Sequence, residues 1–339
     1  MRRSSLVVLG LVMVLVLALA ASAADFPLPI SGLGVKTTTT VKAKKPYLLA
    51  CVVKNSTNPY MIKQLEGFKA AAKAMGFQAL AMAPAKQDNI EEQVKIIEDL
   101  LQRGVQGIAI HPSDSNGIVP VVEKAVAMGV PVVAIGTPAN TDKVMLRTGM
   151  DYYRSGYVIT EAVAKRLGGR GNVIILEGPP QAINAKERLD GIKAALAKYP
   201  NIKILASQPA NFRRLDALQV MENLLQRFPK VDGVIACNDE MALGAVQALE
   251  AAGRLKGTIV SGVDGSKDAT AAIKEGRLTI TSNADPWSSA WCAAAYLVLY
   301  LNDGTLPPSK FIPYPPIEES MLVTKDNIDQ YIAEDAWWK

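Results

Sequence analysis

The chain has 339 residues, of which 49% are hydrophobic and 20% charged; this excludes a disordered polymer and leaves room for about two domains. The formal charge of +5 does not imply a nucleic-acid partner. Its excess sits in residues 1–45, where Arg2, Arg3, Lys36, Lys42, Lys44 and Lys45 face Asp25 alone, and the remainder is balanced, so no basic face is expected.

The chain opens on the pattern of a secretion signal over residues 1–23. Arg2-Arg3 precede an uncharged run from Leu6 to Leu19, and Ala21-Ser22-Ala23 offers a small-x-small cleavage site. The run is shorter than the roughly 20 residues of a spanning helix. The adjacent arginines leave twin-arginine export open as a route, and no cysteine stands at the cleavage point to carry a lipid. Residues 24–45, with Pro27, Pro29 and Thr37–Thr40, read as a flexible tail. Ordered structure is expected from about Tyr47.

From there strands and helices alternate. Tyr47–Val53 is an unbroken apolar run, as a buried parallel strand requires. Asn58-Pro59 opens a helix to Met75, with proline at a favoured first position. Phe77–Ala83 is a strand, and Gln93–Leu101 a helix capped by Asp88 or Asn89. Gly107–Ile110, Val130–Ile135 and Val144–Thr148 read as strands, with a helix across Ile118–Met128. A second series follows: helix Tyr152–Leu167, strand Asn172–Glu177, helix Ala182–Lys198, strand Ile202–Ala206 and helix Arg214–Arg227. Two apolar runs, Val234–Ala236 and Thr258–Val263, then flank another helix. This alternation indicates βαβ units and parallel sheets. Val105–Thr137 resembles Val231–Asp264 in its order of strand, polar cap, helix, glycine and strand, which suggests two similar domains facing each other.

Catalytic signatures are scarce. His111 is the one histidine, placed at a strand end where a loop role is the ordinary reading. No nucleophile elbow, phosphate loop or metal-ligand spacing occurs. Gly168-Gly169-Arg170-Gly171 lies between helix and strand, the wrong order for a phosphate loop. Cys51, Cys237 and Cys292 read as small apolar packing residues.

Binding residues are better represented. A sugar or polyol needs charged or amide groups for its hydroxyls and aromatic rings for its C–H faces. Such residues fall just past strands, where open α/β sheets hold ligands: Lys54, Asn58 and Tyr60 after the first strand, and Asn238 and Asp264 after the two later apolar runs. Arg188 and Phe212 stand close enough in the pattern to join them. Each has a plainer alternative: Asn238 and Asp264 as turn residues, Lys54 as a solvated lysine, Tyr60 and Phe212 as core, Arg188 as a partner of Glu187 or Asp190.

On these residues the chain resembles the periplasmic sugar-binding proteins of the ribose/allose type, the solute receptors of ABC importers. The similarity runs from Tyr47 to about Val323 and is carried by ASQPANF (Ala206–Phe212), CNDEMALGAVQALEAAG (Cys237–Gly253) and GVDG (Gly262–Gly265). KNSTNPY (Lys54–Tyr60) and AKERLDG (Ala185–Gly191) add to it. The resemblance implies the type I periplasmic binding protein fold: two Rossmann-like α/β domains with parallel-rich sheets, joined by three crossovers near Gly149–Asp151, Asn283–Pro286 and Ile312–Ile317. The implied lobes are 46–149 with 285–314, and 150–284 with 315–339.

The resemblance also implies sugar contacts at Lys54, Asn58, Tyr60, Arg188, Phe212, Asn238 and Asp264. Lys54 stands where ribose receptors carry serine and allose receptors lysine, and Tyr60 replaces a phenylalanine or tryptophan wall. The chain departs from the pattern in three places. Gly136-Thr137 replaces an acid after the fourth strand, Ala284 replaces a glutamine near the last hinge, and Met61 replaces a second aromatic. The implied function is capture of a sugar or sugar alcohol in the cleft and delivery to an ABC permease and its ATPase. It would be periplasmic, monomeric and without cofactor, metal, nucleic acid or catalysis. A sensory receptor serving a chemoreceptor or histidine kinase is the alternative. A repressor of the lactose-repressor type would need a DNA-binding segment where this chain carries its secretion signal.

Overall fold

The computed structural model describes residues 41–313, 321–334 and 336–338. The secretion signal and most of the expected tail lie outside the described residues. The end of that tail is built into the fold: Val41 is buried, and the Ala43 N–H donates to the Met75 carbonyl. Described structure therefore begins before Tyr47.

The elements follow in order β1 (Leu48–Val52), α1 (Pro59–Met75), β2 (Gln78–Met82), α2 (Ile90–Gln102), β3 (Gly107–Ile110), α3 (Val119–Ala127), β4 (Val132–Ile135) and β5 (Leu146–Gly149). The second series is α4 (Tyr152–Arg166), β6 (Arg170–Glu177), α5 (Ile183–Leu196), β7 (Asn201–Pro209), α6 (Arg214–Arg227), β8 (Gly233–Ala236), α7 (Asp239–Ala251), β9 (Ile259–Ser261), α8 (Lys267–Lys274) and β10 (Ile280–Ser282). The chain closes with α9 (Pro286–Asp303), β11 (Phe311–Pro313), β12 (Leu322–Thr324) and α10 (Ile328–Glu334).

Two six-stranded sheets result, ordered β11-β5-β4-β3-β1-β2 and β12-β10-β9-β8-β6-β7. Every pairing in the first is parallel; in the second only β12 runs antiparallel, on β10. The orders are the same when read from β2 and from β7. The repeat visible in the sequence thus occupies equivalent places, β3-α3-β4 in one sheet and β8-α7-β9 in the other. The chain leaves the first sheet at Gly149 and returns to it through α9, which packs on α1, β4 and β5.

Local sequence explains these elements. β1, β3, β4 and β8 are continuous apolar runs because both faces are covered. Asn58, Asn89, Asp151, Asn238, Ser266 and Asp285 cap the helices that follow them, each side chain accepting from a first-turn N–H. Helices α4 and α5 approach closely: a Cβ on Gly156 would lie 2.1 Å from the Arg188 carbonyl oxygen. That contact fixes the backbone from which Arg188 projects. All three cysteines are free and buried.

Candidate functional site

The carboxyl ends of β1, β3, β6 and β8 meet across a cleft between the two sheets, as the parallel topology dictates. The cleft has an empty volume of about 470 Å3, including its solvent mouth. All seven residues singled out from sequence line it: Lys54, Asn58, Tyr60, Arg188, Phe212, Asn238 and Asp264.

On the second-lobe side, the Arg188 guanidinium donates to the Cys237 carbonyl through Nη1 and reaches the Met150 sulfur at 2.9 Å through Nη2. It lies 4.9 Å over the Tyr152 ring. Its neighbours in sequence do not hold it, because Glu187 pairs with Arg147 and Asp190 with Lys186. Arg188 Nε is buried without a hydrogen-bond partner, an orphaned donor in a residue that lines the cavity. A buried donor left unpaired is costly; this atom has almost no accessible surface, so it is the rest of the side chain that lines the cavity.

Asn238 takes the plainer structural role that sequence offered and also lines the cleft. Its Oδ1 caps α7 by accepting from the Met241 N–H at 3.0 Å, and its Nδ2 reaches the Phe212 carbonyl at only 3.4 Å. Asp264 is buried at φ +131°, a backbone region that L-residues rarely adopt. Burial and the nearby Asp239 push its carboxyl well above the usual carboxylate range, against the pull of Arg188. Phe212, also at positive φ, lies 5.2 Å below the Lys54 ammonium. Burial lowers the Lys54 pKa, opposed by Asp88 and Asp264.

The first-lobe side is also polar, with Lys54 and Asp88 as its charged groups against Arg188 and Asp264 of the second. Asn58 Oδ1 caps α1 through the Tyr60 N–H at 2.9 Å, which leaves Nδ2 outside the cap. Tyr60 shares a hydrogen bond with Tyr152, and burial raises its pKa well above the ordinary value. Asn55, Met61, Gln87, Asp88, His111, Met150, Tyr152 and Asn184 complete the lining. Asp88 was read as a possible cap; Asn89 performs that task, and Asp88 instead accepts from Asn55 at 2.9 Å and faces Arg213 of the other lobe at 3.4 Å.

His111 lies in the loop directly after β3, as its strand-end position indicated. It is buried, with Nδ1 2.8 Å from Gln64 Oε1 and Nε2 3.1 Å from Thr137 Oγ1. Thr137 Oγ1 is in turn 3.0 Å from Asn184 Oδ1 on the opposite lobe. Burial, Lys54 and Arg147 hold the imidazole pKa well below its ordinary value, so the ring is neutral. Gly136 is required beside it: at φ +73°, a Cβ there would sit 2.4 Å from His111 Cε1. The imidazole thus fills space that a side chain at position 136 would need. Thr137, Asn283 and Asp285, whose roles sequence left open, are not among the lining residues. Thr137 joins the His111 chain, Asn283 accepts from Tyr331, and Asp285 caps α9.

The lobes are held together across the cleft. Arg147 and Glu187 form a bidentate pair at 2.7 and 3.0 Å. The Ser115 N–H donates to the Gln181 carbonyl, and the Ile183 N–H donates to Ser115 Oγ. This is a closed arrangement.

Beneath the cleft, the Asp239 carboxylate accepts from Thr281 Oγ1 at 2.6 Å and from the Ser266 N–H at 2.7 Å. Burial nonetheless pushes its pKa up to about 6. The unfolded value is about 3.9, so the folded state binds the proton more tightly; the contribution is full below about pH 3.9 and is lost as pH rises through the folded value. The stability difference between Asp239→Asn and wild type should therefore move in the variant's favour between about pH 4 and pH 7. Urea unfolding along that range checks it, and a pH-independent difference would contradict it.

A family model of the periplasmic binding protein domain matches residues 49–305. The chain belongs to the periplasmic binding protein family. It is 36% identical over 243 residues to the ribose import binding protein of Bacillus subtilis, covering 72% of this chain and 78% of that one. It is 35% identical to a xylitol-binding protein of Mycolicibacterium smegmatis, covering 78% of this chain and 73% of the relative. A solved ABC transporter periplasmic solute binding protein from Actinobacillus succinogenes with bound D-allose superposes with a TM-score of 0.78 at 30% identity, covering 84% of this chain and all of that one. The type I fold implied by the motifs is thereby established.

Proposed function

We propose that the protein captures an uncharged sugar or sugar alcohol in the cleft, closes on it and presents it to an ABC importer permease outside the cytoplasm. The observation that carries the reading is the lining of the closed cavity: two cations, two carboxylates, amides and aromatic walls. Lys54 and Arg188 balance Asp88 and Asp264 in formal charge, which suits a neutral ligand rich in hydroxyls. The ribose and xylitol relatives and the D-allose-bound structure point to the same ligand class.

The binding mechanism follows from the two-lobed lining. A ligand touching both lobes has more contacts in the closed state than in the open one, and that differential affinity shifts the equilibrium toward closure. The proposed lobes are 46–149 with 285–314, and 150–284 with 315–339, and the motion is a hinge at the crossovers near Gly149–Asp151 and Asn283–Pro286; most of the third expected crossover, Ile312–Ile317, lies outside the described residues. We assign no chemical turnover to the site: both ring nitrogens of its one histidine are engaged, by Gln64 and Thr137. The protein acts as a monomer in the periplasm.

A thermal-shift screen of the protein lacking residues 1–23 against pentoses, hexoses, polyols, amino acids and inorganic anions tests this. At 100 times Kd a ligand adds about 2.7 kcal/mol, so a clear rise in Tm is expected from one or more sugars or polyols. A response confined to amino acids or anions would overturn the reading.

A further inference from the structure

The C-terminal aromatic residues belong to neither sheet, yet they converge on the most strained residue of the cleft. The Trp337 indole is buried and its Nε1 donates to the Asp264 carbonyl at 2.6 Å. The next carbonyl, that of Gly265, accepts from Tyr331 Oη at 2.8 Å and from Trp338 Nε1 at 3.2 Å. Three aromatic donors thus hold two consecutive carbonyls. The corner they hold is unusual in its backbone, since Asp264 has φ +131° and Gly265 φ +69°. Gly265 also has no room for a side chain, because a Cβ would lie 2.4 Å from Tyr331 Oη. A residue in a sparsely populated region keeps that conformation only when its surroundings impose it. Here Tyr331, Trp337 and Trp338 hold the two carbonyls, while the Asp264 and Gly265 N–H groups donate to the Ser282 carbonyl and Thr281 Oγ1.

Trp337 also reaches across the cleft. Its ring stands edge-on to Tyr60 of the first lobe, with centroids 6.5 Å apart and planes inclined by 73°. Tyr60 lines the cavity and Asp264 faces it from the other lobe. One indole therefore holds the backbone of the second-lobe carboxylate and buttresses the first-lobe ring. Opening the hinge would part Trp337 from Tyr60 while leaving its bond to Asp264 within one lobe.

We infer that Trp337 is a positioning residue of the binding site: with Tyr331 and Trp338 it clamps the Asp264-Gly265 corner so that the carboxylate is aimed into the cleft, and it seats against Tyr60 only when the lobes close. The role in ligand affinity rests on the proposed sugar-binding function; the clamp itself does not. The C-terminal segment is then part of the recognition apparatus, and its indole reports closure.

Trp337→Phe and Trp337→Ala test this in the otherwise intact chain from residue 24. D-ribose, D-allose, xylitol and myo-inositol are titrated separately by calorimetry and by tryptophan emission, and amide exchange at residues 262–266 is followed without sugar. For whichever of the four binds wild type, Trp337→Ala should weaken binding by about tenfold, the loss expected for one hydrogen bond and a ring contact. Trp337→Phe, which keeps a ring against Tyr60 but has no donor, should fall between the two. Wild-type emission should shift to the blue on binding, and the shift should shrink in Trp337→Phe. Exchange at 262–266 should quicken in both variants without sugar. Unchanged exchange overturns the clamp. Unchanged affinity and emission overturn the coupling to closure. If none of the four sugars binds wild type, that result counts against the proposed function, and the exchange data still decide the clamp.

Discussion

Asp264→Asn is expected to weaken sugar binding by about ten- to a hundredfold while the sugar-free protein stays folded. A carboxylate accepting ligand hydroxyls contributes about 1.5–3 kcal/mol per charge-assisted hydrogen bond, and the amide replaces one acceptor with a donor. Asparagine tolerates the unusual backbone about as well as aspartate. The change also removes a buried carboxyl from beside Asp239, so stability without sugar should not fall at neutral pH. Calorimetric titration and a sugar-free melting curve read the two effects separately. Unchanged affinity would remove Asp264 from the site.

Arg188→Met is expected to act on both binding and stability. The variant keeps much of the aliphatic bulk but removes the guanidinium of a residue that lines the cleft. It also leaves the Cys237 carbonyl without its guanidinium donor, at a cost of about 1–3 kcal/mol. Binding should weaken at least as much as in Asp264→Asn. The two effects should not add, because Arg188 is the cation that opposes the upward shift of the Asp264 carboxyl. In the double variant the second substitution should therefore cost less than it does alone. Strict additivity, measured by calorimetry on the four proteins of the cycle, would contradict the coupling.

Much of this architecture is legible in the sequence because it rests on local rules. The long buried strands announce themselves as apolar runs, and helix starts are marked by Asn58-Pro59 and Asn238. The helix Arg214–Arg227 has the bounds its pattern indicates. The short elements β10, β11 and β12, of three residues each, are too brief to show a period. They exist because neighbouring strands offer them unpaired edges, which is information carried by the rest of the fold.

The same division applies to the cleft. The seven sequence-derived residues sit just past strands or in motifs shared with the family, so position alone assembles them. Asp88, Tyr152 and Asn184 are supplied by loops and helix starts whose approach depends on how two lobes face each other. His111 stands past β3, and so the strand-end rule could have included it; its burial and neutrality come from Gln64, Thr137 and Lys54, which are distant in sequence. The Trp337-Trp338 end is conspicuous in composition, but nothing local says that its partner is the Asp264 carbonyl 73 residues earlier.

The central claim is that a neutral polyhydroxylated ligand binds between the lobes and is held by both. Hydrogen–deuterium exchange with and without the sugar identified by thermal screening tests it most directly. The account predicts slowed exchange on both sides of the cleft, at residues 54–60 and 111–115 of the first lobe and at 182–188, 237–241 and 262–266 of the second. Protection confined to one lobe, or located away from these segments, would contradict it.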